Sequence, residues 1–399
     1  MALTNTHTRY GSVARSFHWL TALLILTLIP VAVIANQLPY DTSEQLARKA
    51  WLFSLHKTLG VTVFFVALLR ILWAIVQPKP APLHPHNKTE TFLAETAHWL
   101  LYGSLVLAPL SGWIHHAATA GFAPIWWPLG QNLPLVPKSD SFAALSGGAH
   151  WVFGKVMAAA ILAHVAGALK HQIIDRDATL RRMLNGAPEL AALSPARHSA
   201  LPLGAAIAIW AVVLAAGSVF GIYKPHASTA QAAELSQVAS EWEVQSGSIA
   251  LTVTQFGGLV TGQFADWTAD IDFDPQIMGA QAGTVEVVIA TGSLTLGSVT
   301  SQALAPDFFN AAAFDTATYT ADLYTLNDQF VARGALQLKG VSVPFEMPFR
   351  LSIDDGVAVM SAQTTLDRRD FGIGDNLPDE DAVNFAVQVD INLTATQPE

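Results

Sequence analysis

The sequence predicts a bundle of membrane-spanning α-helices followed by an all-β antiparallel barrel. The chain has 399 residues, of which 51% are hydrophobic and 13% are charged, with a mean hydropathy of +0.36. Soluble domains carry about 25% charged residues. Long apolar stretches occur only before Lys224, and an alternation with a period of two residues appears only after Trp242. A wholly soluble protein is therefore excluded.

The charge of the chain changes sign near Lys224. Residues 1–226 contain 16 lysines and arginines against 8 acidic residues, a net charge of +8, and residues 227–399 contain 5 against 23, a net charge of −18. All 13 histidines lie in the first part. The chain has no cysteine, which excludes disulfides, cysteine-ligated zinc, iron–sulfur clusters and covalently attached haem. We therefore expect two domains in different solvents, with any metal bound by histidine or carboxylate.

Five apolar stretches are long enough to cross about 30 Å of hydrocarbon as helices. They cover residues 17–36, 51–76, 96–118, 150–174 and 201–223. Lysine and arginine are retained on the cytoplasmic side, and they concentrate before the first span, after the second and after the fourth. The N-terminus is therefore predicted to be cytoplasmic, and the acidic C-terminal part to lie outside the cytoplasm.

Small residues at two points are typical of signal-peptidase sites. The first, residues 33–35, would remove His18 together with the first span, and the second, residues 230–232, follows the fifth span. The fifth apolar run is 23 residues long, which favours an uncleaved anchor, although cleavage after it stays open. The predicted domains are a membrane domain (1–200), a fifth transmembrane helix (201–223), a linker (224–240) and a barrel (241–399).

Four histidines lie inside the spans, where an ionisable side chain is costly and marks a functional site by default. His150 and His164 are fourteen residues apart on span four, which places them about 40° apart on one helix face and about 21 Å apart along it. The span orientations put His18 level with His164 and His56 level with His150. We predict that each pair ligates one haem b, an arrangement that favours electron transfer over oxygen binding. The alternative is four histidines hydrogen-bonded within a helix bundle.

Other polar residues of this part have weaker assignments. Arg70, deep in span two, and Lys57, beside His56, are predicted to contact haem propionates unless they extend to an interface. His171 and His98 are candidates for a quinone or proton-relay residue, against the alternative of interfacial histidines with a structural role. His84, in a polar connection, is expected to be solvated.

Five motifs within residues 9–183 resemble the bacterial cytochrome b-561 family in order and spacing. They are Arg15-Ser16-Phe17-His18-Trp19-Leu20, Leu55-His56-Lys57-Thr58-Leu59-Gly60, Tyr102 with Pro109-Leu110-Ser111-Gly112-Trp113, His150, and His164 with Lys170-His171, Asp175-Arg176-Asp177 and Thr179-Leu180-Arg181-Arg182-Met183. The resemblance implies a four-helix bundle with two b-type haems, whose ligands map onto the four histidines of the spans. It also implies a bacterial inner membrane, electron exchange with ubiquinone or another quinone, and a substrate site near His171, our candidate catalytic residue.

After Trp242 the pattern becomes that of strands. Apolar and polar residues alternate over 385–393, and shorter runs at 285–289 and 336–338 repeat the pattern between turns. Several strands over about 155 residues predict one antiparallel barrel of about eight strands, which can be filled or can hold one small ligand. An alternating acidic group, which favours a solvated face over a calcium site, comprises Asp270, Asp272 and Asp274.

The motifs of residues 241–396 are similar to those of the YceI-like family. They are Trp242, Gly262-Gln263-Phe264, Asp272-Phe273-Asp274-Pro275, Asp307-Phe308-Phe309, Leu336-Gln337-Leu338-Lys339-Gly340-Val341 with Pro344, and Asp367-Arg368-Arg369-Asp370-Phe371-Gly372. The resemblance implies a periplasmic, lipocalin-like barrel that encloses an isoprenoid lipid, in some members a quinone. The chain departs from the family at 300–302, where an Arg-Asp pair is frequent, and at Lys339, where a histidine is frequent. These departures concern recognition of a head group rather than the apolar lumen.

We predict a membrane-bound dihaem cytochrome b that transfers electrons to or from the quinone pool and carries a tethered barrel for an isoprenoid lipid. Two directions are open: superoxide as donor to ubiquinone, which would make the protein an oxidoreductase, or quinol as donor to another acceptor. The alternative function is a periplasmic polyisoprenoid carrier or sensor whose cytochrome is only a redox input. A third is a structural five-helix anchor without haem. Membrane lipid is an expected partner, nucleic acid is not, and a homo-oligomer is left open.

Overall fold

The computed structural model of the chain describes residues 2–81, 83–84, 86–119, 121, 123–128, 130–186, 199–224, 232–236, 240–326 and 329–397. It divides into two compact units. The first comprises Met1–Gln37, Leu52–Ala118 and Ile125–Pro225, and the second comprises Leu38–Trp51, Thr119–Pro124 and His226–Glu399. Two connections that the sequence assigns to the domain 1–200 thus cluster with the second unit. Most of the predicted linker 224–240 and of the second cleavage site lies outside the described residues.

Six α-helices precede the strands in the described part of the chain. They are α1 (Ser12–Gln37), α2 (Ser43–Ile75), α3 (Lys88–Ala118), α4 (Asp140–Lys170), α5 (Thr179–Leu184) and α6 (Leu201–Val219). A π-helical turn, His171–Asp175, extends α4. Four segments are long and apolar enough to cross a membrane, namely Ser12–Gln37, Ser43–Ile75, Asp140–Asp175 and Leu201–Val219. They confirm four of the predicted spans.

The remaining predicted span, residues 96–118, is also helical and lies within α3. It is less apolar than the other four, because His98, His115 and His116 lie along it together with Pro109. Hydropathy alone therefore separates α3 from its neighbours. The polar side chains that lower its hydropathy are the ones that bear on the functional site.

Helices α1 to α4 form a four-helix bundle around one apolar core. The core is formed by Ile25 and Leu28 of α1, Val63 and Ala67 of α2 and Leu105 of α3, packed against Met157 and Ile161 of α4. On the outer faces, large apolar side chains such as Leu23, Leu72 and Leu162 are exposed by 65%, 61% and 72%. Such exposure is unfavourable in water but matches the hydrocarbon of a bilayer.

The second unit is a single curled antiparallel sheet of ten strands within the described residues. The strands are β1 (Glu243–Gln255), β2 (Gly258–Phe264), β3 (Trp267–Phe273), β4 (Gln281–Ala290), β5 (Leu294–Thr295), β6 (Thr316–Leu326), β7 (Gln329–Leu338), β8 (Val341–Asp354), β9 (Val357–Asp367) and β10 (Val383–Thr396). Their order is β3-β4-β6-β7-β8-β9-β10-β1-β2-β5, with β3 and β5 at the two edges. Trp242 N donates to Ile271 O, which ties the start of β1 to β3 at one end. The sheet is therefore a half-open barrel, and the predicted all-β architecture is confirmed.

Four of the five apolar residues that alternate in β10 line the interior: Val387, Val389, Ile391 and Leu393. The fifth, Phe385, instead packs against Arg368 and Arg369, where the pairing of β10 with β1 is irregular. Between them, Gln388 and Asp390 hydrogen-bond to each other on the outer face. The acidic side chains of residues 270, 272 and 274 are all exposed, as a solvated face predicts. The barrel therefore has an apolar interior and a polar exterior, which is what fixes the register of its strands.

Arg368, in the short 3₁₀ turn after β9, holds together the loops at one end of the barrel. Its side chain is 4% exposed. The guanidinium donates to the backbone carbonyls of Ile373, Gly374, Leu377, Asp379, Val383 and Asn384. A planar group with five N–H donors suits this role, and removal leaves several buried carbonyls without donors.

We expect the substitution Arg368→Gln to destabilise the barrel by at least about 3 kcal/mol, because buried carbonyls that lose a charged donor carry the full cost of desolvation. Urea unfolding of the full chain, followed by circular dichroism of the β-structure, measures the change. Arg369→Gln is the matched control, because the side chain of Arg369 is exposed and forms its ion pair with Asp367. Equal shifts of the unfolding midpoint in both variants would contradict the assigned role of Arg368.

Candidate functional site

The four histidines predicted from span depth lie in two pairs, one pair at each end of α4. The rings of His18, on α1, and His164, on α4, have centroids 6.1 Å apart. The rings of His56, on α2, and His150, on α4, have centroids 6.3 Å apart. The structure thus brings together the residues that the sequence pairs, and their role as haem ligands stays a prediction. We call His18–His164 the inner pair and His56–His150 the outer pair.

Backbone carbonyls orient both rings of the outer pair. His150 Nδ1 lies 2.7 Å from Ala108 O on α3, and His56 Nδ1 lies 3.1 Å from Leu28 O on α1. Because a carbonyl oxygen can only accept, each Nδ1 carries the proton and donates it. In a neutral imidazole the other nitrogen is then unprotonated. Nε2 is therefore the atom that each ring of the outer pair presents to a metal, and the hydrogen bond at Nδ1 fixes that tautomer.

Each of the helices α3 and α4 has a glycine against which a histidine ring of the other helix packs. A Cβ on Gly112 would lie 2.8 Å from His150 Nδ1, and a Cβ on Gly147 would lie 2.9 Å from His115 Nδ1. His115 Nδ1 donates to Ala143 O at 2.8 Å, as His150 does to Ala108 O on the opposite helix. Glycine is thus required at both positions for an imidazole to lie against the facing backbone. Sequence reasoning missed this arrangement, although Gly112 belongs to a quoted motif.

The spacing of both pairs fits a shared iron. A metal–imidazole bond is about 2 Å long, so two imidazoles on one metal have ring centroids roughly 6 Å apart. Gly60 and Gly154 lie one turn after His56 and His150, and outside their own helices no heavy atom lies within 4 Å of where a Cβ would stand on either. Both the donor spacing and the room beside the outer pair suit the flat macrocycle of haem b.

The indole N–H groups of Trp113 and Trp127 are buried and have no acceptor in the part of the chain that the structure describes. Trp113 follows Gly112, which faces the ring of His150. Phe65 packs between the two indoles, 6.2 Å from Trp113 and stacked on Trp127 at 5.4 Å. A buried donor without an acceptor is costly. An additional hydrogen-bond acceptor would therefore be stabilised beside these two indoles.

Polar side chains surround the inner pair as well. Arg70 Nη2 lies 3.3 Å from His18 Nδ1, and its guanidinium lies over the Tyr102 ring at 5.6 Å. The ring of His98 lies 5.1 Å from that of His164. Since a guanidinium can only donate, His18 Nδ1 accepts in this contact, unlike Nδ1 in the outer pair. Arg70 and His98 therefore both belong to the surroundings of the inner pair.

Lys57 is 7% exposed and follows His56 directly on α2. A buried ammonium group is stabilised by a nearby anion, because desolvation is otherwise expensive. Its position beside the outer pair agrees with the predicted contact to a haem propionate, which stays a prediction.

His171 lies at the start of the π-helical turn, in a cluster of charged side chains. Its Nδ1 is 2.7 Å from Asp177 Oδ2 and 3.0 Å from Asp175 Oδ2, and its Nε2 is 3.2 Å from Glu90 Oε1. His84 Nε2 is 2.9 Å from the same Asp177 oxygen. His84 is exposed, as expected for a solvated residue, and in addition it contacts Asp177.

Asp177 is the residue that joins the two histidines of this cluster. Burial raises the pKa of Asp177, but hydrogen bonds from the backbone and side chain of Thr179 and from the rings of His84 and His171 outweigh burial and hold the pKa below its usual value. Asp177 is therefore ionised at neutral pH, and its carboxylate accepts hydrogen bonds from both imidazoles.

The barrel encloses a cavity of about 260 Å³. Its lining is apolar except for a few polar side chains, which include Gln255, Gln302, Thr364, Arg368 and Tyr319. Tyr319 donates its hydroxyl to Ala332 O, and burial raises the pKa of Tyr319 to about 12. The Nε2 of Gln302 is buried and has no acceptor among the described residues. The lumen suits a mainly apolar ligand with a hydrogen-bond acceptor near Gln302.

Two family models match the chain. Residues 9–186 match the model described as prokaryotic cytochrome b561, and residues 237–395 match the YceI-like domain. Cytochrome b561 homolog 2 of Escherichia coli (strain K12) is 31% identical over 190 residues, which cover 46% of this chain and 95% of that protein. Cytochrome b561 homolog 1 of the same organism is 25% identical over 177 residues, which cover 44% and 97%.

Solved structures similar to the second unit include BcnA of Burkholderia cenocepacia, with a TM-score of 0.35 and 22% identity, covering 38% of this chain and 96% of that one. A polyisoprenoid binding domain from Saccharophagus degradans has a TM-score of 0.33 and 14% identity, covering 40% and 100%.

Proposed function

The chain belongs to the cytochrome b561 family and carries a YceI-like domain, and from this premise we propose a membrane-bound dihaem b-type cytochrome that exchanges electrons with a quinone. It is an integral membrane protein, and four helices among the described residues are long and apolar enough to span the bilayer. In our proposal the membrane is the bacterial inner membrane, the N-terminus is cytoplasmic and the YceI-like domain is periplasmic, in keeping with the distribution of lysine and arginine between the connections.

The observation that carries the proposal is the pair of histidine contacts at the two ends of α4. Haem b, which the family implies, supplies reversible one-electron transfer when bound. One member of each pair, His150 or His164, lies on α4, and these two are fourteen residues apart, or about 21 Å. Two centres at this separation would carry electrons between the faces of the membrane. Two protein ligands per iron leave no open position for oxygen, which supports transfer rather than oxygen activation.

We assign His171 to the quinone. Reduction of a quinone to a quinol takes up two electrons and two protons, so a site next to an electron-transfer centre needs a proton donor. His171 and His164 are seven residues apart on α4 and its π-helical extension, or about 10 Å. The imidazole of His171 contacts three carboxylates, which can exchange protons with it, and Nε2 or Nδ1 would deliver the proton.

Haem content and quinone-dependent electron transfer in the purified full-length protein test this proposal. We expect a pyridine haemochrome spectrum with two b haems per chain, and reoxidation of the reduced haems by a short-chain ubiquinone. A protein without haem, or with haems that no quinone oxidises or quinol reduces, would overturn the proposal.

The electron donor is tested separately with a superoxide flux. Reduction of the oxidised haems that superoxide dismutase suppresses would identify superoxide as donor and the protein as a superoxide:quinone oxidoreductase. Reduction by ubiquinol alone would assign the opposite direction, from quinol to another acceptor.

We propose that the barrel binds an isoprenoid lipid, of which quinone is one class. The support is the lumen, whose polar groups are few and whose one cation, Arg368, is engaged by backbone carbonyls in the described residues. The second candidate function follows from the same lumen: a polyisoprenoid carrier or sensor, for which the cytochrome serves only as a redox input.

Mass spectrometry of lipids extracted from the full-length protein tests the barrel proposal. Ala332→Trp is the control, because Ala332 lines the lumen and is 1% exposed, so an indole there fills the cavity. We expect an isoprenoid lipid with the wild type and its loss with the variant. Equal lipid in both proteins would assign the lipid to the membrane helices and remove the barrel proposal.

A further inference from the structure

We propose that His84, His171 and Asp177 form a binding site for a divalent transition-metal ion such as Zn²⁺, distinct from the two haem pairs. The three side chains come from three segments: the connection between α2 and α3, the π-helical turn after α4, and the connection to α5. Their ligand atoms all lie within 4.8 Å of one another. The site lies at the C-terminal end of the apolar segment Asp140–Asp175, where His171 begins the π-helical turn, and Asp177 follows that segment.

The geometry around Asp177 brings the donors to one point. Asp177 Oδ2 is 2.9 Å from His84 Nε2 and 2.7 Å from His171 Nδ1. The two imidazole rings are parallel, with an interplanar angle of 1° and centroids 6.1 Å apart. Each ring therefore directs one nitrogen at the same carboxylate oxygen, and a small rotation of the half-exposed His84 would let one ion contact all three groups.

The donor set selects the class of ion. Two imidazoles and one carboxylate, with further positions left for water, are a ligand set for zinc and iron rather than for calcium or magnesium, which prefer oxygen. Zinc binds such nitrogen and oxygen ligands at about 2 Å. The chain has no cysteine that would compete for a soft divalent ion.

The charge of the surroundings favours a dication. Glu90 contacts Nε2 of His171 and Asp175 contacts its Nδ1, and Lys170 Nζ is 2.6 Å from Glu90 and 2.7 Å from Asp175. With neutral imidazoles, three carboxylates and one ammonium leave a net charge of −2 in the cluster, which one divalent ion neutralises.

Among the three ligand side chains, that of His84 is the most exposed to solvent. The side chain of His84 is 51% exposed, whereas those of His171 and Asp177 are 17% and 11% exposed. An ion would enter past His84 and be held against the two more buried ligands. A bound metal would also hold His171 Nδ1 in place. If His171 donates a proton to the quinone, which rests on the proposed function, the metal would inhibit quinone reduction.

Zinc binding to the tag-free, chelator-treated holoprotein tests the site. Equilibrium dialysis with elemental analysis gives the stoichiometry, and calorimetry gives the affinity, both on oxidised protein without quinone. We expect one tight Zn²⁺ per chain, and an affinity at least about tenfold lower in His84→Ala, since lost support of a metal ligand typically costs 10- to 100-fold. The haem spectrum reports that each variant is folded.

His86→Ala is the matched control, because His86 lies two residues away in the same connection and is exposed. Equal loss of zinc affinity in both variants would overturn the proposed site. Unchanged zinc affinity in His84→Ala would also overturn it, and is the result expected if zinc is held by Glu90, His171 and Asp175 instead. Zinc binding is measured without quinone, so the zinc result does not depend on whether His171 serves a quinone. Failure of the zinc site likewise leaves the quinone assignment of His171 untouched. Zinc inhibition of haem reoxidation, lost in His84→Ala, is the expected readout where both proposals hold.

Discussion

Replacing His150 with alanine is expected to remove one of two haems and to leave the other in place. The outer pair loses one of its two imidazoles, and a haem held by a single histidine in the bundle binds far more weakly. The inner pair, 6.1 Å between ring centroids, keeps both of its members. The pyridine haemochrome should therefore fall from about two b haems per chain to about one, and redox titration should show one remaining transition.

The complementary substitution His18→Ala should remove the inner haem and leave the outer one, with the remaining transition at a different potential. His115→Ala is the control, because its Nδ1 contacts a backbone carbonyl as His150 does, yet it belongs to neither pair. Two haems retained in His150→Ala would refute the pairing. The same remaining transition in His150→Ala and His18→Ala would refute the assignment of the two centres to opposite ends of α4.

Which histidines lie next to each other could be predicted from the sequence, because two simple quantities give each of them an expected depth. Hydropathy gives the bounds of the spans, and the distribution of basic residues gives their direction, so each histidine has a calculable height in the membrane. The structure places His18 beside His164 and His56 beside His150, as these expected depths predict. The alternation of β10 was equally readable, because side-chain direction in a strand reverses at every residue.

The cluster around His171 could not be predicted in the same way. His84, Glu90 and Asp177 come from separate polar segments, and neither periodicity nor hydropathy reports which of such segments meet. The π-helical turn that carries His171 also breaks the period of 3.6 residues on which face assignments rest. A quoted motif contained Asp177, yet only the fold shows that one of its oxygens contacts two histidines.

The contact between Gly112 and His150 could not be predicted for a related reason. A glycine inside a helix lowers helix stability, and its role in packing is visible only when its neighbour on the facing helix is known. The substitution Gly112→Ala tests this role. Alanine is favoured over glycine inside a helix by roughly 1 kcal/mol. Helix propensity alone would make Gly112→Ala more stable. Any loss of haem binding in this variant therefore has to come from the new methyl group.

We expect Gly112→Ala to weaken haem binding at the outer pair by about 10- to 100-fold, the range for disrupted support of a metal ligand. The added Cβ would stand 2.8 Å from His150 Nδ1 and 3.0 Å from Cε1, so the ring has to move and its hydrogen bond to Ala108 O has to lengthen or break. The rate of haem transfer from the purified protein to an excess of a haem-scavenging protein measures the change, with the outer haem leaving first.

Gly204→Ala, in α6, is the matched control, because nothing lies within 4 Å of its Cβ position. It should leave both haem transfer rates unchanged. If Gly112→Ala loses haem no faster than Gly204→Ala, then the ring of His150 is not held against the backbone of α3 as the structure has it. If it instead loses both haems at the same increased rate, the methyl group disturbs the whole bundle rather than the outer pair, and the local role of Gly112 is refuted.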